Sequence, residues 1–176
     1  MKRLTLLAIA LLATLCVAAQ NFYPGKEGVL KGDGYTYIYR SNIMGGKILH
    51  NIEMPISTNT QYKDPNNPPQ GLRHFSKVNV THSELNALVL NQLSSEHKKM
   101  LVGRQFAPMM TIDSQTGKVV EVWFILSPDE KDPRNRIPVD VYRGIEVALK
   151  ERVVFTTTEE CRNLVNYFFY PVMLQF

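Results

Sequence analysis

The feature that most constrains this 176-residue chain is its first 19 residues, because they decide how much sequence is left to fold and with which cross-links. Met1-Lys2-Arg3 is a short basic start, and Leu4 to Val17 then runs without a charge. Val17-Ala18-Ala19 places small or β-branched residues where signal peptidase cuts, and Gln20 is the expected mature N-terminus. The apolar run is shorter than the roughly 20 residues a spanning helix needs. Cys16 follows Leu15 rather than the small residue that usually precedes a lipid-acceptor cysteine. Processing would leave 157 residues, enough for one ordinary domain or two small ones. The formal charge would fall from +4 to +2 as Lys2 and Arg3 leave, which gives no ground for a nucleic-acid partner. Cys161 would be the remaining cysteine, so the exported chain would fold on its hydrophobic core without an internal disulfide. These points favour an exported protein of a bacterial envelope, periplasmic or extracellular.

Beyond the signal the composition changes twice. Residues 20–80 read as short strands joined by turns. Gly32-Asp33-Gly34 marks a turn, and Tyr35 to Tyr39 is a run of strand-forming residues. Gly45-Gly46 and Lys47 to Ile52 supply a second turn and a partner strand, hence a hairpin. Pro55 to Gly71 is rich in Asn, Thr, Asp and Pro and reads as a solvated loop. Within the first strand Tyr35, Tyr37 and Tyr39 recur at period two and so share one face. Such a ladder can stack on sugar rings or on a partner's apolar side chains, or it can pack against the chain's own core.

Residues 81–176 follow a different pattern. Thr81-His82-Ser83-Glu84 is a capping box, and Leu85, Leu88, Val89 and Leu93 then lie on one helical face. Gly103 marks the expected end of that helix, with Lys98 and Lys99 in its last turns. Two strands, Gln105–Asp113 and Lys118–Leu126, flank the turn Ser114-Gln115-Thr116-Gly117. A second helix is expected to begin at Pro138, with Val141, Ile145, Ala148 and Leu149 facing inward. Tyr167 to Phe176 reads as a last strand in which Pro171 marks a bulge or an edge. The expected fold is α+β: an antiparallel sheet with helices on one face, preceded by a β-hairpin-rich N-terminal segment.

The C-terminal half, about Arg104 to Phe176, resembles the TonB C-terminal domain. The carrying residues are Met110-Thr111-Ile112-Asp113, the turn closing at Gly117, Lys118 to Val122, the helix through Ala148-Leu149-Lys150, Val153-Val154-Phe155 and Leu174-Gln175-Phe176. The resemblance implies a small sheet that binds a partner by adding a strand at its edge, with Phe169, Val172, Leu174 and Phe176 on the docking strand. A transducer of that family also needs a retained membrane helix and a long Pro-rich spacer. This chain's hydrophobic segment looks cleavable, and its Pro cluster is confined to residues 65–69. The expected partner is therefore another envelope protein.

Signatures of catalysis are missing. His50, His74, His82 and His97 are scattered without metal-ligand spacing, and neither a nucleophile elbow nor a phosphate-binding glycine loop occurs. Glu159 and Glu160 directly before Cys161 disfavour a thiolate, although Arg162 pulls the other way. Asp129-Glu130 and Glu159-Glu160 read as solvated charges rather than a glycosidase pair. No catalytic residue, metal site or cofactor is expected. The leading expectation is a non-enzymatic interaction module. The alternatives are a carbohydrate or small-ligand binder using Tyr35, Tyr37 and Tyr39, and an unrecognised hydrolase built around a cleft.

Overall fold

A computed structural model describes residues 23, 27–41, 46–53, 75–164 and 167–176. The expected signal peptide and the whole of the Pro/Asn-rich loop lie outside them. Among the described residues the architecture is the expected α+β one, a six-stranded antiparallel sheet with two small two-stranded sheets and three helices.

The N-terminal strands are β1 (Glu27–Gly32), β2 (Tyr35–Ser41) and β3 (Lys47–Asn51). Gly34 turns β1 into β2 with a φ of 74°, which glycine adopts without a Cβ penalty. The expected hairpin of β2 and β3 forms, with Tyr37 opposite Asn51 and Tyr39 opposite Leu49. β4 (Phe75–Val78) follows.

The single helix expected after Thr81 is two helices, α1 (His82–Leu90) and α2 (Ser95–Met100). The capping box is present: Thr81 Oγ1 accepts from the Glu84 amide at 3.2 Å, and Glu84 Oε2 accepts from the Thr81 amide at 2.7 Å. The break comes from a second cap, in which Ser94 Oγ accepts from the His97 amide at 3.1 Å and restarts the helix. Leu93 is buried between the two.

β5 (Gln105–Phe106), β6 (Pro108–Asp113) and β7 (Val119–Leu126) come next. Asp113 Oδ1 accepts from the amides of Gln115 at 3.1 Å and Thr116 at 2.7 Å, and Gly117 completes the turn at φ 70°. α3 (Val139–Arg152) starts at Pro138 as expected. Its inward face is Tyr142, Ile145, Glu146 and Leu149, whereas Val141 and Ala148 are half-buried. β8 (Phe155–Thr157) pairs with β4. The expected final strand divides near Pro171 into β9 (Tyr167–Pro171) and β10 (Leu174–Gln175), and β10 pairs with β5 outside the main sheet.

The main sheet runs β1-β2-β3-β7-β6-β9. β3 pairs directly with β7, so the N-terminal hairpin and the C-terminal half share one sheet across residue 80. α3 packs over β7, and α1 packs on α3. The inner face holds Tyr37, Tyr39, Leu49, Met110, Val122, Phe124 and Leu126, all buried. By strand alternation Ile38, Ile48, His50, Met109, Thr111, Glu121, Trp123 and Phe169 lie on the second face. Trp123 is half-buried there.

Candidate functional site

The tyrosine ladder lies on the inner face, under α3. Tyr37 and Tyr39 are 0% and 4% exposed, so neither can stack on a ligand without the core opening. The Tyr37 hydroxyl donates to Glu146 Oε2, and Tyr35 donates to Asp140. Arg143 and Lys150 stand 3.0 Å and 3.5 Å from the Glu146 carboxylate and compensate its burial. Burial, with the Asp140 contact, pushes the Tyr35 phenol up to about 12, and burial beside Glu146 raises Tyr37 further. Tyr39 and Tyr35 lie over Gly28 and Gly32 of β1, where an added Cβ would meet the Tyr39 hydroxyl and the Tyr35 ring. This corrects the ligand-platform expectation: the ladder fills the space between sheet, α3 and the backbone of β1.

At the other end of the sheet, β9 is the last described strand and pairs with β6 alone among the described residues. In an antiparallel ladder alternate residues turn both main-chain groups to the neighbour. The Val172 amide donates to the Pro108 carbonyl at 2.9 Å. With Tyr170 opposite Met110 and Phe168 opposite Ile112, the groups of Phe168, Tyr170 and Val172 therefore face β6. Those of Tyr167 and Phe169 face outward. Pro171 also faces outward but has no N–H to offer. Among the described residues the strand expected to dock a partner is thus the last of the sheet, and a short one.

The four side chains assigned to it part company. Phe169 is half-buried on the second face, its ring 6.4 Å from Trp123. Val172 and Leu174 are buried at 0% and 4% and belong to the core. Phe176 is half-buried, and its carbonyl accepts from the Gly103 amide at 2.8 Å.

The second face also carries a polar row that sequence reading missed. His50 on β3 and Glu121 on β7 approach to 4.0 Å, Nδ1 to Oε1, and both are 3% exposed. Thr111 on β6 pairs with Glu121 across the strands and places its hydroxyl 3.5 Å from Oε2. The next residue in that row is Phe169 on β9. Desolvation holds the Glu121 carboxyl up to about 7. His50 and Glu121 are 71 positions apart in sequence, and register alone brings them together.

The remaining candidates lie apart from one another. Cys161 is buried, its thiol pushed up to about 11 by desolvation, and its Sγ lies 3.9 Å from the Ser114 carbonyl. Glu159 and Glu160 are exposed beside it. Asp129 accepts from the Lys131 amide at 2.9 Å in an exposed loop. His82 and His97 lie on different helices, and His74 is outside the described residues. Among the described residues no cluster of three or more His, Cys, Asp or Glu could hold a metal, and no helix is long and apolar enough to cross a membrane.

Comparison with known proteins bears on the whole arrangement. The family model of a domain of unknown function, DUF5043, matches residues 56–172. The crystal structure of a DUF5043 family protein from Bacteroides uniformis ATCC 8492 is 26% identical, with 85% of each chain covered and a TM-score of 0.74. No curated protein matches this chain. The family match begins well before Arg104, and nothing in these comparisons indicates a TonB C-terminal domain, so that resemblance is withdrawn. The strand-turn-strand-helix-strand order that suggested it is shared by many α+β sheets. This chain belongs to the DUF5043 family.

Proposed function

We propose that this chain is a non-catalytic interaction module of the bacterial envelope that receives a short extended segment of a partner protein on the outer edge of β9. The observation that supports this reading is the direction of the main chain at Phe169. Its N–H and C=O point away from β6 at the end of the described sheet. Strand addition needs little more than such a pair, because backbone hydrogen bonds provide affinity and flanking side chains provide selectivity. Pro171 limits the addition to about the Tyr167–Phe169 stretch and guards the rest of the edge against indiscriminate pairing. Export, as read from Leu4–Val17, would put this edge among other envelope proteins.

Two variants separate backbone docking from side-chain contact. Phe169→Pro removes the outward N–H and sets a ring against an incoming strand, while the bonds to β6 remain. Phe169→Ala keeps the N–H and loses the aromatic ring. In cross-linking capture of the exported full-length chain, strand addition predicts a roughly tenfold loss of a specific partner with proline, a hydrogen bond plus a steric clash. Alanine should retain that partner. Equal capture by both variants and the parent would show that β9 is not where the partner binds.

A further inference from the structure

β1 begins the described sheet as β9 ends it, and what its edge can do is independent of the docking reading. Among the described residues β1 pairs with β2 alone. The Thr36 carbonyl accepts from the Ile52 amide at 2.9 Å, so Thr36 turns its main-chain groups toward β3. Lys31, opposite Thr36, therefore turns its own groups away from β2, and alternation gives Val29 and Glu27 the same direction. No proline interrupts this row, in contrast to β9 with Pro171. The side chains of Glu27, Val29 and Lys31 share the second face of the sheet, and all three are exposed. At 58%, Val29 is the most exposed large apolar side chain on a described strand.

We propose that β1 is a self-association edge, at which two copies of this chain pair β1 with β1, antiparallel about a two-fold axis at Val29, and so join their sheets into one.

The order of residues on the strand selects both the occupant and the register. Glu27, Val29 and Lys31 read as acid, apolar residue and base at period two. Reversed against itself about Val29, that row sets Glu27 of each copy opposite Lys31 of the other, with Val29 opposite Val29. Opposite charges across an antiparallel pair stabilise it, and like charges destabilise it. A parallel pairing in register would put Glu27 beside Glu27 and Lys31 beside Lys31. Sliding the antiparallel pairing by two residues would leave a charge without its complement. A two-fold interface asks a patch to be complementary to itself, and this strand meets that demand in one register.

The backbone and the apolar side chains agree with the charges. In this register each outward residue faces an outward residue of the second copy, so opposite residues can exchange both main-chain hydrogen bonds. Ile38 of β2 lies opposite Val29 on the other side. An apolar row Ile38–Val29 would therefore continue across the axis into the same row of the second copy, and Val29 would be withdrawn from water. Arg40 lies opposite Glu27 on β2, and Thr36 lies opposite Lys31. Glu27 would thus stand between two cations, and no like charge on β2 opposes either end.

The test is sedimentation velocity of the exported full-length chain across about 1 μM to 1 mM. The parent should pass from monomer to dimer within that range. Glu27→Lys and Lys31→Glu each set like charges opposite one another at both ends of the paired strands. Each should weaken dimerisation roughly tenfold, because two cross-strand pairs change from attraction to repulsion. Mixing E27K with K31E restores opposite charges, so the mixture should form a heterodimer about as tight as the parent dimer. The double variant E27K/K31E should dimerise by itself. That rescue also shows that each variant is folded. A parent that stays monomeric, a dimer indifferent to either substitution, or a mixture that associates no better than its components would each overturn the proposal.

Discussion

Tyr142→Ala is expected to remove roughly 3–5 kcal/mol of stability, the range for deleting a buried aromatic ring from a core. The side chain is wholly buried at the junction of α3, β5 and β7. Its ring lies 4.6 Å from Phe124, 6.0 Å from Phe106 and 6.1 Å from Tyr23, and its hydroxyl donates to the Arg134 carbonyl at 2.9 Å. Alanine would leave a cavity bounded by aromatic rings that cannot collapse easily, as well as a carbonyl without its donor. Since a domain has a total stability of about 5–15 kcal/mol, such a variant would be close to unfolding at growth temperature. Tyr142→Phe isolates the hydroxyl and should cost only about 1 kcal/mol. Urea denaturation of the three proteins would decide the matter. A Tyr142→Ala midpoint close to that of the parent would mean that α3 does not pack on the sheet as described.

The second large effect is expected at Gly117. Its φ is 70°, and an added Cβ would fall 1.8 Å from the Phe155 carbonyl oxygen, a backbone atom that cannot step aside. Gly117 also accepts from the Phe155 amide at 2.8 Å and donates to the Asp113 carbonyl at 2.8 Å, so it fastens the β6–β7 turn to β8. Gly34 has a nearly equal φ of 74° with nothing within 4 Å of the added carbon. Gly34→Ala should therefore show the left-handed penalty alone, about 1–2 kcal/mol. Gly117→Ala adds the displacement of β8 to that penalty and should cost at least about twice as much. Similar losses for the two alanine variants would show that the contact with Phe155 is absent in solution.

Much of this fold is legible from local chemistry. The capping box at Thr81 and Glu84, the Asp113–Gly117 turn and the proline start of α3 are written in neighbouring residues, and all three form. The hairpin of β2 and β3 is legible for the same reason. What escapes is whatever depends on register or on a competing local signal. Ser94 divides one apolar helical stripe into two helices, because its hydroxyl caps the second more favourably than a continuous turn would leave it. Tyr35, Tyr37 and Tyr39 could be assigned to one face, but period two does not say which face α3 will cover. Glu146 is a charged residue that no local pattern places inside, and Tyr37, Arg143 and Lys150 contact it there. The His50–Glu121 pair and the outward turn of Phe169 are both consequences of strand pairing, which no local pattern encodes.

Amide hydrogen exchange of the free chain shows whether β9, the last strand of the described sheet, leaves a short open edge. The amides of Phe168, Tyr170 and Val172, which face β6, should exchange slowly, at rates set by opening of the sheet. The Phe169 amide, between two of them, should exchange orders of magnitude faster and slow only when a partner is bound. A Phe169 amide as protected as its neighbours in the free chain would contradict the claim, because that edge would already be occupied.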